Sequence, residues 1–276
     1  MLTTICDKNN FIPLIQKRCL MIVKVIDEIC RKNDIKYSLC GGSVIGAYLY
    51  NGFIPWDDDI DIMMTRDNYS RFVEIFPKYA PYNYRLLNYK LQNEVKVPTL
   101  FSRVEDINTE VEEEIARVKR VGHVFVDITV MDNVSSKLMH KMAYGYGSYV
   151  YLHLYKWNNM TPGTKWKHVL FNMAMPKLDK EKTMALYKRY EAYCGKLSNK
   201  KTPYCAELMS AAYSNYLYDR SLFDEYMDIE FAGLKLMVVK NYSDYLFTRY
   251  RRREFAREVP NEQRFNSHII AFRESN

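Results

Sequence analysis

Paired cysteines and cysteine–histidine spacings are missing from this chain of 276 residues. Its six cysteines, Cys6, Cys19, Cys30, Cys40, Cys194 and Cys205, make no C-x-x-C, and none lies three or four residues from a histidine. That excludes the usual structural zinc site. Long apolar runs are missing too. The longest charge-free apolar stretch, Met142–Tyr155, is interrupted by Gly145, Gly147 and His153, so no membrane-spanning helix is expected. Met1–Asn10 carries no legible signal peptide, and the chain reads as a reduced, cytoplasmic protein. There is no internal repeat, low-complexity tract or Gly/Pro/Ser-rich linker. Charge of one sign is in modest surplus, Lys+Arg 40 against Asp+Glu 33. This suits phosphate-bearing partners but does not indicate a nucleic-acid binder, and none is expected.

What the chain does have is apolar periodicity. Ile15, Cys19, Ile22, Ile26 and Ile29 mark an amphipathic helix with Pro13 in its first turn. Ile35, Tyr37 and Leu39 alternate as a strand ending at Cys40. Gly41-Gly42-Ser43 makes a tight turn, with Ser43 as N-cap of a short helix closed by Gly52. A second strand is expected over Asp59–Met63. A helix capped by Thr65, with Tyr69, Phe72, Val73 and Phe76 on its apolar face, ends at Pro77. Tyr84–Leu87, Leu100–Val104 and Val124–Ile128 read as strands, and Ile229–Phe231 with Leu234–Val238 as a hairpin turning at Ala232-Gly233. Beyond Ser135 the chain is mostly helical. Glu112-Glu113-Glu114 reads as a solvated loop or helix edge. Arg251-Arg252-Arg253 reads as a solvated helix face whose charge also suits an anionic glycolipid or the cytoplasmic membrane face. The expected class is α/β (α+β): a mixed-sheet core over 11–134, then a mainly helical accessory part with a small hairpin over 135–276, within one domain.

The chemistry-bearing stretch runs from Leu39 to Met64. Asp59 and Asp61, two apart on the expected strand, project from one face at roughly 6.6 Å along the chain and can share one hard cation. Asp57, Asp58, Asp59 and Asp61 crowd five positions, so their repulsion asks for a compensating cation. Asp57 and Asp58 are equally readable as solvated turn residues. Glycines before a helix allow close backbone approach, and the helix N-terminus offers N–H groups to a phosphate. Asp127, between Val126 and Ile128, is a third acid that needs a cation or a strong hydrogen bond. The 24 tyrosines invite a quaternary-ammonium site, but the Tyr-rich helices read first as core.

The order of strand, Gly-Gly-Ser, D-x-D strand and later acid resembles nucleotidyltransferases with a polymerase-beta-like core. More narrowly, GGSVIGAYLYNGFIPWDDDIDI resembles the signature of the LicD family of phosphotransferases, with a continuous match from Gly52 to Ile62. Arg103, Phe125–Asp132, Phe231–Gly233, Tyr245-Leu246 with Tyr250, and His268 resemble later family elements. Leu49 stands where the family usually has Arg, and Arg251 where it has Gly after Tyr250. The resemblance implies metal-dependent transfer of phosphocholine or a similar phospho-alcohol, as in the fukutin group's ribitol phosphate, from a CDP-linked donor, with CMP leaving. The implied acceptor is a hydroxyl of a cell-surface glycan or glycolipid of polysaccharide, teichoic acid or lipooligosaccharide type. It implies Mg²⁺ or Mn²⁺ on Asp59, Asp61 and Asp127, the last as ligand or as base. It places Gly41, Gly42, Ser43, Trp56, Asp58, Arg103 and His268 at the substrates. Nucleotidyl transfer with release of pyrophosphate, and a non-catalytic binding module, are the alternative readings.

Overall fold

The computed structural model describes residues 3–5, 8–88, 102–115, 118–157, 176–210, 215–261, 264 and 268–274. Its elements are β1 (Thr3–Ile5), α1 (Lys8–Lys32), β2 (Ser38–Leu39), α2 (Gly41–Tyr50), β3 (Asp61–Thr65), α3 (Arg66–Tyr79) and β4 (Tyr84–Leu87). Then follow β5 (Ser102–Ile115), β6 (Val118–Val134), α4 (Lys137–Trp157), α5 (Lys180–Ser198), β7 (Tyr204–Ala206) and β8 (Leu217–Asp219). The chain closes with β9 (Tyr226–Phe231), β10 (Leu234–Val239), α6 (Tyr242–Tyr250) and β11 (Ile269–Glu274). Among the described residues these make an α+β fold around one curled mixed sheet of order β1-β11-β5-β6-β3-β2, with β4 also on β5 and β7–β8 continuing from β6. Only the β3–β6 contact is parallel within that order, and it sets Asp61 opposite Asp127. The part after Ser135 is mainly helical, as expected, yet β7 and β11 return to pair with β6 and β5.

One face of the sheet is dry. Val124, Val126, Ile128 and Val130 of β6 are buried, as are Ile62 and Met64 of β3 and Val104 of β5. They pack with the apolar stripe of α1, which includes Ile15, Ile22 and Ile26, and with Phe72 and Phe76 of α3. The intervening β6 residues His123, Phe125, Asp127 and Thr129 are half-buried on the opposite face, the two-residue alternation of a strand with one apolar side. No helix among the described residues is long and apolar enough to cross a membrane. The five described cysteines are buried free thiols, and Tyr187 and Tyr190 belong to the core.

Several boundaries differ from the sequence reading, each for a local reason. α1 begins at Lys8, so Pro13 lies inside it rather than in its first turn, still near enough the helix start that few backbone bonds are lost. α3 continues two residues past Pro77 to Tyr79. α2 starts at Gly41 with Cys40 as its N-cap, so Ser43 is a first-turn residue and not the cap. β3 starts at Asp61, leaving Asp59 in the preceding loop, because β2 is only two residues long and pairs with Met63 and Ile62. Glu112-Glu113-Glu114 belongs to β5 and is no loop. Arg273 of β11 neutralises Glu110 and Glu112, and Glu113 is buried beside it in the strand. Of the Leu100–Val104 expectation, positions 100 and 101 lie outside the described residues, and β5 begins at Ser102. The hairpin β9–β10 turns at Ala232 and Gly233, both with positive φ (50° and 82°), as a two-residue loop of this hand requires. Arg251 ends α6 at φ 58°, the left-handed position where glycine is easiest.

A buried cluster ties the second half to the sheet. Arg66 donates from Nε and Nη2 to the two Asp132 oxygens (2.7 and 2.9 Å) and from Nη1 to Glu191 of α5 (3.1 Å). Ser198 adds a donor to Asp132 at 2.8 Å. A fixed bidentate pair of this kind sets the seating of α3 and α5 on β6.

Candidate active site

The acid loop between α2 and β3 is built by close approach of backbone. Asn51 caps α2 in the left-handed region and the Gly52 amide donates to the Gly46 carbonyl, turning the chain sharply back. A Cβ on Gly46 would fall 2.4 Å from the Gly52 carbonyl oxygen, so the return path exists because Gly46 has none. The loop then folds through an Asp57 N–H to Ile54 carbonyl bond of 2.9 Å. α1 holds it from below: Gln16 Nε2 donates to the Asp57 carbonyl (2.8 Å) and Cys19 Sγ to that of Asp58 (3.8 Å).

Here the structure gathers Asp57, Asp58 and Asp59, one oxygen from each lying within 4.8 Å of the others. Asp58 is buried at 7% exposure, so it is no solvated turn residue. Asp61 and Asp127 adjoin this group from β3 and β6. Ser43 is recruited to Asp61: its Oγ accepts the Asp61 amide proton at 2.9 Å while keeping its own O–H to give. Gly41 and Gly42 lie against the carboxylates. A Cβ on Gly42 would sit 2.9 Å from Asp57 Oδ2, and one on Gly41, whose φ is +55°, 3.7 Å from Asp61 Oδ2.

Burial and mutual repulsion govern the electrostatics. Desolvation, with Asp58 nearby, raises Asp57 to about 7. Asp61 rises to about 8 through desolvation and the charge of Asp127, against a lowering by Arg249. Asp127 reaches about 6, desolvation outweighing Arg103. Asp59 is pushed well above the carboxylate range by desolvation and by its acidic neighbours, Asp61 foremost. Closely spaced carboxylate oxygens fit a hard divalent cation, and Asp57, Asp58 and Asp59, with Asp61 alongside, are the residues that could hold it.

Arg103 and Asp127, opposite each other on β5 and β6, form a bidentate pair: Nε to Oδ1 at 2.9 Å and Nη2 to Oδ2 at 3.2 Å. The guanidinium also lies 3.6 Å over the Phe125 ring. Trp56 sits edge-on to Tyr50, with the Arg264 guanidinium 4.5 Å over its ring. It lines a cleft of about 300 Å³ with Leu49, Tyr50, Ile54 and Phe255, so the leucine at the family's arginine position is a wall of that cleft. His268 stands apart from the acid loop, exposed at the start of β11, where its carbonyl accepts the Glu114 amide.

The sequence reading missed Arg249 and Glu207, and it noted Tyr245 without placing it at the site. Arg249 Nη2 and Tyr250 Oη would each lie 3.8 Å from a Cβ on Gly41, beside Asp61. Arg249 is held by both oxygens of buried Glu207 (2.8 and 3.0 Å), which also accepts from Tyr218 at 2.9 Å. Tyr245 stacks on Tyr218 and its hydroxyl accepts the Gly41 amide at 2.9 Å. The signal for these was the Tyr245-Leu246 and Tyr250 spacing: four residues on α6 set Arg249 and Tyr245 on one side.

A family profile described as LicD/FKTN/FKRP, nucleotidyltransferase domain, matches residues 34–177, more than half of the chain. Lipopolysaccharide cholinephosphotransferase LicD of Haemophilus influenzae is 32% identical over 130 residues, 43% of this chain and 43% of that protein. An uncharacterized protein of Rickettsia typhi is 34% identical over 70 residues, 25% of this chain and 23% of its own. The matched stretch thus spans less than half the length of either relative. A solved GTP pyrophosphokinase family protein from Streptococcus pneumoniae covers 68% of this chain and 88% of its own at 8% identity. Its TM-score of 0.22 is too low for that likeness to carry weight.

Proposed function

The chain belongs to the LicD/FKTN/FKRP nucleotidyltransferase-domain family, and from that premise we propose that it is a metal-dependent phosphotransferase. It moves a phospho-alcohol, phosphocholine or a close analogue, from a CDP-linked donor to a hydroxyl of a cell-surface glycan, releasing CMP. The cholinephosphotransferase name of the Haemophilus relative supports the alcohol. The observation that carries the reading is the cluster of Asp57, Asp58 and Asp59 beside a Gly41-Gly42 turn that Asp57 and Asp61 approach closely.

The acceptor oxygen attacks the phosphorus bearing the alcohol, the bond from that phosphorus to the CMP oxygen breaks, and the acceptor proton goes to Asp127. Asp127 is suited to that role because Arg103 fixes both its oxygens, each with a lone pair to spare, and a pKa of about 6 leaves it ionised at neutral pH. A divalent cation on the acid loop would neutralise charge on the donor's phosphates and on the departing CMP. Ser43 fixes the backbone of Asp61 and gives its O–H to a donor phosphate oxygen. Arg249, anchored on Glu207, faces the same oxygens as a second positive charge.

Incubation with CDP-choline, CDP-ribitol and CDP-glycerol in the presence of Mg²⁺ tests the proposal, with CMP as the readout. Asp61→Ala should lose CMP release while keeping the circular dichroism spectrum of the parent. Turnover surviving in that variant, or pyrophosphate from a nucleoside triphosphate in place of CMP, would reject the assignment.

A further inference from the structure

The acids occupy one row of a wider polar surface. Across the sheet, Asp61 pairs with Asp127, Asp127 with Arg103, and Arg103 with Leu87. The adjacent row on the same face runs Phe125, Glu105, Arg85. Neighbouring strands lie roughly 4.8 Å apart, so this second group begins one strand beyond Asp127, on the side away from the Gly41-Gly42 turn.

A cleft of about 360 Å³ opens there, lined by Arg85, Arg103, Glu105, Glu113, Arg120 and His123 among others. The sheet curls to close it. After the register shift between Asp106 and Val111, β5 and β6 bring the Glu113–Arg120 cross-strand pair over the same space. Three guanidinium groups and two carboxylates line it, and Arg103 is already bound by Asp127, so Arg85 and Arg120 are the cations that would engage a ligand. Arg85 Nη2 holds buried Glu105 at 2.8 Å, yet the Arg85 Nε is buried with no hydrogen-bond partner among the described residues. A buried donor left unmade is costly, and an acceptor-rich ligand removes that cost. Among the described lining residues His123 supplies the sole ring, and its Nδ1 is engaged with the Thr109 carbonyl, so a nucleobase finds no stacking wall.

We propose that this cleft is the acceptor subsite, and that Arg85 and Arg120 hold an anionic group, phosphate or carboxylate, carried by the acceptor sugar. The proposal rests on the transferase reading above and adds to it the side of Asp127 on which the acceptor lies and the charge it bears. Arg103 is then the hinge between two compartments, bound to Asp127 toward the acids and forming a wall of the acceptor cleft.

The test is equilibrium titration of the full chain with glucose 6-phosphate, glucuronate, glucose and CMP, none of which requires turnover. At least one anionic sugar should bind about tenfold or more tightly than glucose, the usual scale of a charge-assisted contact. Arg120→Gln should abolish that preference and leave CMP affinity within about twofold of the parent. Arg85→Gln/Glu105→Gln, which strands no buried charge, should do the same with the melting temperature as a folding control. Equal binding of glucose and both anionic sugars by the parent overturns the proposal. So does a tenfold loss of CMP affinity in Arg120→Gln, which would assign the arginines to the donor's phosphates. Failure to release CMP from any CDP-alcohol strikes the transferase reading alone and leaves the anion preference to be judged by titration.

Discussion

Gly46→Ala sets two opposed effects against each other. In the interior of a helix Ala is favoured over Gly by about 1 kcal/mol, so propensity alone makes the substitution stabilising. Position 46 lies within α2 and has an ordinary helical backbone, so nothing local opposes that gain. The opposition is tertiary. The added Cβ would sit 2.4 Å from the Gly52 carbonyl oxygen, 3.1 Å from the Ile54 nitrogen and 3.3 Å from the Phe53 carbonyl carbon. Carbon–oxygen contacts settle at roughly 3.3–3.6 Å, so about 1 Å of backbone movement is needed. All three contacts are main chain. That stretch is bound to α2 by the Gly52 amide and to the β9–β10 hairpin by the Ala232 amide on the Asn51 carbonyl. Overpacking of this kind costs about 1–3 kcal/mol, and a site with no flexible neighbour belongs at the upper end. The net expectation is a loss of about 1–2 kcal/mol, the opposite sign to propensity. Gly145→Ala in α4 and Gly195→Ala in α5 are the controls, since a Cβ at either meets nothing within 4 Å among the described residues. Each should gain up to about 1 kcal/mol. Urea denaturation of the three variants reads the difference. The acid loop follows the clash directly, so Gly46→Ala should also weaken Mn²⁺ binding. Parental stability in Gly46→Ala, or a gain equal to that of the controls, would refute the reasoning.

Two further outcomes follow from the charges. Arg249→Met leaves Glu207, which is 4% exposed, with Tyr218 as its recorded hydrogen-bond donor, and should cost about 3–5 kcal/mol in denaturant titrations. Adding Glu207→Gln should restore most of it, and a single variant that melts with the parent would exclude a structural role for the pair. In the cation-free protein Asp57, Asp61 and Asp127 have folded-state pKa values of about 7, 8 and 6, all above the unfolded value. Their destabilisation is absent below about pH 4 and grows as pH rises toward the folded values. Melting temperature should therefore fall between about pH 4 and 8 without divalent ions, and Mg²⁺ should raise it more at pH 8 than at pH 6. A Mg²⁺ increment independent of pH would separate the ion from these carboxylates.

How much of this was legible in the sequence depends on how far each partner lies along the chain. Asp61 and Asp127 could be singled out because a carboxylate between isoleucines or valines has no local explanation, and their opposition across β3 and β6 gives the reason for both. The turn at Ala232-Gly233 was equally local. By contrast, Glu112-Glu113-Glu114 looked solvated because the charge that compensates Glu112, Arg273, is more than 160 positions away and its strand pairing depends on β11. Arg249 was hidden in the same way. Nothing near it in the chain marks it out, and only the fold brings Glu207, Tyr218 and Gly41 around it. The glycines mark the limit most sharply. Gly-Gly-Ser suggests an N-cap by spacing, yet the serine is spent on the Asp61 amide and Cys40 takes the cap. Cap propensity is worth about 1 kcal/mol, and a part-buried amide left without an acceptor costs at least as much, approaching about 1–3 kcal/mol at full burial. The serine goes where its oxygen is worth more, and that place is set by β3, eighteen residues downstream.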